Sequence, residues 1–251
     1  MHHKKLHQLT QWIALIPEDE CSLYRAVIDE ACVRGIDFAL GGAFAVATYT
    51  GSWRNTKDLD LYVGPAHKDE MIELLSGLGF RDYYDEKPYD RWWIYRAVRD
   101  GTIIDVIWAM ANHRQQIDEL WMSGPSVEML GHTLKVLPAE AMIWDKLYIM
   151  QRERCDWPDV LNLLYHVAGD LDWEYLLTRM GDDRPLMAGL MSVFQWMSPG
   201  RAQSIPAWVW SKLHLPPMPR EPLPEVDCRR VSLLDRRPWY GLDRPKLQPA
   251  A

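Results

Sequence analysis

At 251 residues, 48% hydrophobic and 25% charged, the chain has room for one large domain or two small ones and the composition of a globular protein. Twenty-eight basic against 35 acidic residues give a net charge of −7, which argues against a broad non-specific nucleic-acid binder while leaving room for a local basic groove. The apolar run near the start, Trp12 to Ile16, is too short for a signal-peptide core or a membrane span, so a cytoplasmic setting with no membrane partner is expected.

The four cysteines, Cys21, Cys32, Cys155 and Cys228, form no CxxC pair and have no histidine at zinc-finger spacing; they read as reduced thiols. The 13 tryptophans read as packing residues rather than ligand-stacking ones.

In chain order, Ser22 to Val33 has helical apolar spacing with Gly35 as its stop. Asp37 to Leu40 predicts a short buried strand, and Ala43 to Tyr49 a helix of small residues. Gly41 and Gly42 therefore lie between a strand and a helix N-terminus, where backbone N–H groups point outward and favour anions. Ser52 to Lys57 is a polar loop. Asp58 to Val63 predicts a strand with Asp58, Asp60 and Tyr62 on one face and Leu59, Leu61 and Val63 on the core face. A helix follows with Met71, Leu74, Leu75 and Leu78 on one side. Arg91 to Val98 and Ile103 to Met110 predict a hairpin around Asp100-Gly101, and Asp105 is the one carboxylate in its apolar return strand. Burying it demands a compensating charge.

A second small hairpin is expected around Gly131-His132. From Pro138 the pattern turns helical, with segments at Ala139 to Gln151, Trp157 to Val167, Trp173 to Met180, Pro185 to Met197 and Pro206 to Leu213. From His214 eight prolines and no helix or strand period predict an extended tail. The expected fold is α/β (α+β): a mixed sheet with flanking helices over residues 1–137, a helical bundle over 138–213, and a Pro-rich tail over 214–251.

Nucleotidyl transfer needs a held triphosphate, neutralised phosphate charge and an acceptor placed in line. A glycine turn at a helix N-terminus, two carboxylates on one strand face and a third on another strand supply the means. Hard divalent cations take oxygen ligands, and two of them can sit about 4 Å apart between shared carboxylates.

With Leu40-Gly41-Gly42, Asp58-Leu59-Asp60 and the later Asp105 in IIDVIW, the chain resembles the nucleotidyltransferase superfamily, whose fold is shared with DNA polymerase beta. Arg54-Asn55-Thr56 between the two motifs, and the segment Leu137 to Leu164, look like the minimal and AbiEii-like toxin-type bacterial branch. Ala43 stands where that pattern has a hydroxyl residue, and Cys155 where it has Lys. The resemblance spans roughly Ile36 to Leu164. It implies a catalytic domain over residues 1–137 that moves a nucleoside monophosphate from an NTP to an acceptor hydroxyl or phosphate, releasing pyrophosphate. It further implies Asp58, Asp60 and Asp105 as catalytic and metal-binding residues, with Asp105 as a base. Gly41, Gly42, Arg54 and Lys146 are implied as nucleotide contacts. The implied cofactor is Mg2+, two ions, with Mn2+ as a substitute. The acceptor stays open among a small molecule, tRNA and protein, and the toxin-type reading adds an antitoxin partner. A non-catalytic nucleotide- or partner-binding module is the alternative of a different class.

Overall fold

Three consecutive buried residues, β1 (Phe38–Leu40), run through the interior of the sheet that carries the site, and both of their faces are covered. The computed structural model describes residues 11–53, 56, 58–235 and 239–240. The chain divides into two compact units, Met1–Asp145 and Lys146–Ala251.

In the first unit, α1 (Glu18–Arg34) opens with three acids, Glu18, Asp19 and Glu20, behind Pro17, and closes at Gly35 in the left-handed conformation. The acids suit the positive end of a helix, which explains why it starts four residues before the predicted Ser22. After β1 come α2 (Gly42–Thr50), β2 (Asp58–Val63), α3 (Lys68–Gly77) and the short β3 (Arg81–Asp82). A hairpin of β4 (Ile94–Arg99) and β5 (Thr102–Ile107) and a second one of β6 (Ser126–Met129) and β7 (His132–Val136) complete the sheet.

Among the described residues the sheet has seven strands in the order β3-β4-β5-β2-β1-β7-β6. The pairs β2–β5 and β1–β7 are parallel and the others antiparallel, so the sheet is mixed as expected. Leu59, Leu61 and Val63 are fully buried, as the alternation predicted. Asp100 and Gly101 both have positive φ, 52° and 84°, the geometry a two-residue hairpin turn needs to match strand twist.

Strand β4 begins at Ile94 and not at Arg91. The Asp90 carboxylate accepts a hydrogen bond from the Trp92 amide at 2.9 Å, and Arg91 lies over the Tyr84 ring and pairs with Asp82. These contacts hold residues 90–92 in a turn.

Helix α4 (Ala139–Leu147) also stops short of the predicted Gln151. The indole of Trp157 donates to the Leu147 carbonyl at 3.0 Å, and the Asp156 amide donates to Ile149 at 2.9 Å. The chain thus leaves the helix for a tight reversal, with Met150 bridged to Cys155.

The second unit is helical: α5 (Trp157–Val167), α6 (Trp173–Met180), α7 (Arg184–Met197), α8 (Pro199–Ala202), α9 (Ala207–Lys212) and α10 (Cys228–Leu234). The last of these corrects the expectation of a tail without helical structure. Asp227 caps it, accepting from the amides of Arg229 and Arg230, each at 3.1 Å, and Val231 is buried. Tyr240 is buried too, its ring stacked 4.3 Å from that of Tyr165. Among the described residues no helix is long and apolar enough to cross a membrane.

Candidate active site

Gly41 ends β1 and caps α2, and its amide donates to the Asp60 carbonyl at 3.0 Å. A Cβ on Gly41 would overlap the Tyr62 ring; one on Gly42 would overlap the Asp60 carboxylate. Gly42 also has φ +50°, a conformation that side chains rarely adopt. Only glycines let the first turn of α2 come this close to the acidic strand. The first-turn N–H groups of a helix have no acceptor within it, and here they stand beside carboxylates.

On β2, Asp58 and Asp60 share a face and are half-buried. Tyr62, third on that face, is buried; it stacks on Trp121 and donates to Asp145 at 2.8 Å. The parallel register of β2 and β5 sets Asp60 opposite Asp105. One carboxylate oxygen from each of Asp58, Asp60 and Asp105 falls within 4.8 Å of the other two. The three aspartates read from sequence are thus brought together, two half-open to solvent and Asp105 only 1% exposed.

Two partners of these acids went unread in the sequence. The hydroxyl of Thr56 donates to Asp58. Arg96, directly across the β4–β5 pair from Asp105, grips both of its oxygens: Nε donates to Oδ1 at 2.7 Å and Nη2 to Oδ2. Its Nη2 is also 3.9 Å from Asp58 Oδ2. Arg96 supplies the charge compensation that a buried Asp105 requires. The hydrogen bonds it donates to Asp105 raise the guanidinium's affinity for its proton above the ordinary value, although burial opposes them. A signal for Arg96 was present: a two-residue turn at Asp100-Gly101 sets Arg99 against Thr102, and counting back three places sets Arg96 against Asp105.

Tyr24 of α1 is almost wholly buried and edge-on to Phe44 of α2, 5.7 Å between centroids. Burial, followed by the charges of Glu20, Asp58 and Asp60, pushes its phenol well above the ordinary range, so it stays protonated beside the acids.

Of the other residues singled out in the sequence, Arg54 lies outside the described residues. Lys146, in the last turn of α4, is buried and donates to Asp156 at 2.7 Å and Asp159 at 2.9 Å. Burial favours its neutral form, but the two carboxylates outweigh it and hold the ammonium above its ordinary value. Asp156 also takes a two-pronged grip from Arg154, at 2.9 and 3.0 Å. A cavity of about 880 Å³ opens at the other end of β2, where Gly64, Pro65, His67, Asp118 and Lys135 line it; the three aspartates do not.

The profile of a family described as "Uncharacterised nucleotidyltransferase" matches residues 38–197. No curated protein matches the chain. Among solved structures it is similar to the antibiotic-resistance factor ANT(2'')-Ia in solution, at 19% identity over 72% of this chain and 94% of that one, TM-score 0.45. It is similar to the lincosamide antibiotic adenylyltransferase LnuA with lincomycin bound, at 16% identity over 59% and 96% of the two chains, TM-score 0.43. An antigenic nucleotidyltransferase-like protein from Paracoccidioides brasiliensis is similar at 17% identity over 70% and 93%, TM-score 0.40.

Proposed function

The chain belongs to the nucleotidyltransferase family whose profile covers residues 38–197, and we propose that it moves a nucleoside monophosphate from an NTP to an acceptor hydroxyl or phosphate with the help of divalent metal. It is an enzyme of the nucleotidyltransferase class. The observation that carries the metal-dependent reading is the convergence of Asp58, Asp60 and Asp105, one oxygen from each within 4.8 Å of the others. An all-oxygen set of three carboxylates suits Mg2+ or Mn2+ and suits poorly the softer ions that take nitrogen or sulfur. Asp58 and Asp60 would hold the ions and Asp105 would complete the set. When bound, such ions neutralise the charge of the triphosphate and of the leaving pyrophosphate.

The chain's own groups do the rest. The amides at the start of α2, reached through Gly41 and Gly42, receive phosphate oxygens. The acceptor oxygen bonds to the α-phosphorus as the bond to the bridging oxygen breaks, and pyrophosphate leaves with the electron pair. Where the acceptor is a hydroxyl, its proton passes to Asp105. Arg54 and Lys146 enter as triphosphate contacts through the family resemblance. For Lys146 the nucleotide would compete with Asp156 and Asp159, which now hold it. A Lys146→Arg variant that folds but shows a raised KM for the NTP supports that contact; an unchanged KM removes Lys146 from it.

The test is incubation with each labelled NTP and a cell extract in Mg2+. Transfer of label to an extract component with release of pyrophosphate is expected, abolished by chelator and lowered about 100-fold or more in Asp58→Asn and Asp60→Asn. Label in no fraction and pyrophosphate from no NTP would overturn the assignment.

A further inference from the structure

Arg96 occupies the oxygens that a metal would need. It grips both oxygens of Asp105, and its side chain is 29% exposed while that of Asp105 is 2% exposed. Asp105 is pinned in the sheet between Asp60 on one side and Arg96 on the other. The guanidinium stands at the rim and already reaches within 3.9 Å of Asp58. Within the ion pair, Arg96 is the exposed partner and Asp105 the buried one. A guanidinium also matches phosphate as well as it matches carboxylate, through the same planar fork.

We propose that Arg96 is an exchangeable counter-ion: it holds Asp105 before loading, yields that carboxylate to the metal, and passes its charge to the polyphosphate of the incoming nucleotide. The inference rests on the metal-site reading given above. No covalent bond changes, and the guanidinium keeps its proton throughout. The consequence is coupled loading. Metal alone must displace a two-pronged ion pair while the guanidinium's nearby alternative, Asp58, is itself claimed by the metal. Metal arriving with a polyphosphate supplies the anion that receives it. Each ligand must then tighten the other by the same factor. Arg96 acts here as a positioning residue, and removing it has opposite effects on metal binding and on coupling.

The experiment is a titration of the full chain with Mn2+, following free Mn2+ by electron paramagnetic resonance, with and without a non-hydrolysable α,β-methylene NTP analogue. In the wild type the analogue is expected to tighten Mn2+ about tenfold or more. In Arg96→Gln, Mn2+ alone is expected to bind about tenfold or more tighter than in the wild type, since a neighbouring cation lowers a carboxylate's proton affinity by about one to three decades and opposes a second cation in the same sense. The tightening by the analogue should shrink by a similar factor. Arg96→Gln should also melt at lower temperature without metal, the two-pronged pair on the buried Asp105 being lost, and should recover more than the wild type on adding Mn2+. Should the Gln chain not fold, Arg96→Lys keeps the charge but not the fork, and about threefold tighter Mn2+ binding is expected. A folded variant that binds Mn2+ no better than the wild type, or keeps the full coupling, overturns the exchange and leaves the metal site standing. A wild type that binds no Mn2+ in either condition overturns both.

Discussion

Gly42 carries two constraints at once: a positive φ and the Asp60 carboxylate packed where a Cβ would be. Gly42→Ala is therefore expected to destabilise the fold by about 1–3 kcal/mol and to displace Asp60 from the other acids. Urea denaturation together with Mn2+ titration checks both effects; a variant with wild-type stability and metal affinity would show that the backbone there yields easily. The glycine pair and the three aspartates were legible in the sequence because each is local: a turn dipeptide, a two-residue alternation, one charge in an apolar strand. Thr56 was noticed only as part of Arg54-Asn55-Thr56, without its bond to Asp58, and Arg96 was not read, since each matters through a partner rather than through its own pattern. Arg96 in particular looks like an ordinary strand charge until the hairpin is counted across to Asp105.

Among the elements, α4 shows where helical periodicity overreaches. The apolar spacing that predicts helix to Gln151 is outbid at Leu147 by the Trp157 indole and by the reversal that delivers Asp156 to Lys146. That cluster holds a buried ammonium between two carboxylates, with Arg154 on one of them. Lys146→Met removes the ammonium between Asp156 and Asp159 and leaves Arg154 on Asp156. It is expected to lower unfolding free energy by about 3 kcal/mol in urea titration. A loss near zero would mean that Arg154 suffices. The C-terminal α10 was missed for a related reason. Proline density masked a short helix whose evidence was a single cap, Asp227, ahead of Val231 and two exposed leucines.

Across the whole molecule, strand and helix types were readable apart from α10, but strand order was not. Local patterns carry no information on which strands lie side by side, and here β2 is flanked by β5 in parallel and β1 in antiparallel fashion. One property of the second unit contributes to how stability varies with pH. Burial first, then the charge of Arg201, holds the His166 imidazole below its ordinary value, with Glu225 opposing. A histidine whose folded pKa is depressed lends stability that is present above about pH 6.5 and lost as pH falls. Stability in urea is therefore expected to drop between pH 7.5 and 5.5, and His166→Gln to flatten that drop; an identical slope in the variant would place the sensitivity elsewhere.

The turn at Asp100-Gly101 lies on the surface, with both residues exposed. Yet its two positive φ angles fix the register that brings Arg96 to Asp105. Charge balance at the aspartates thus depends on a solvent-facing glycine four positions before Asp105 in the chain. In a library screened for turnover, Gly101→Val would surface among the inactive clones, and a map of contacts to substrate would never explain it.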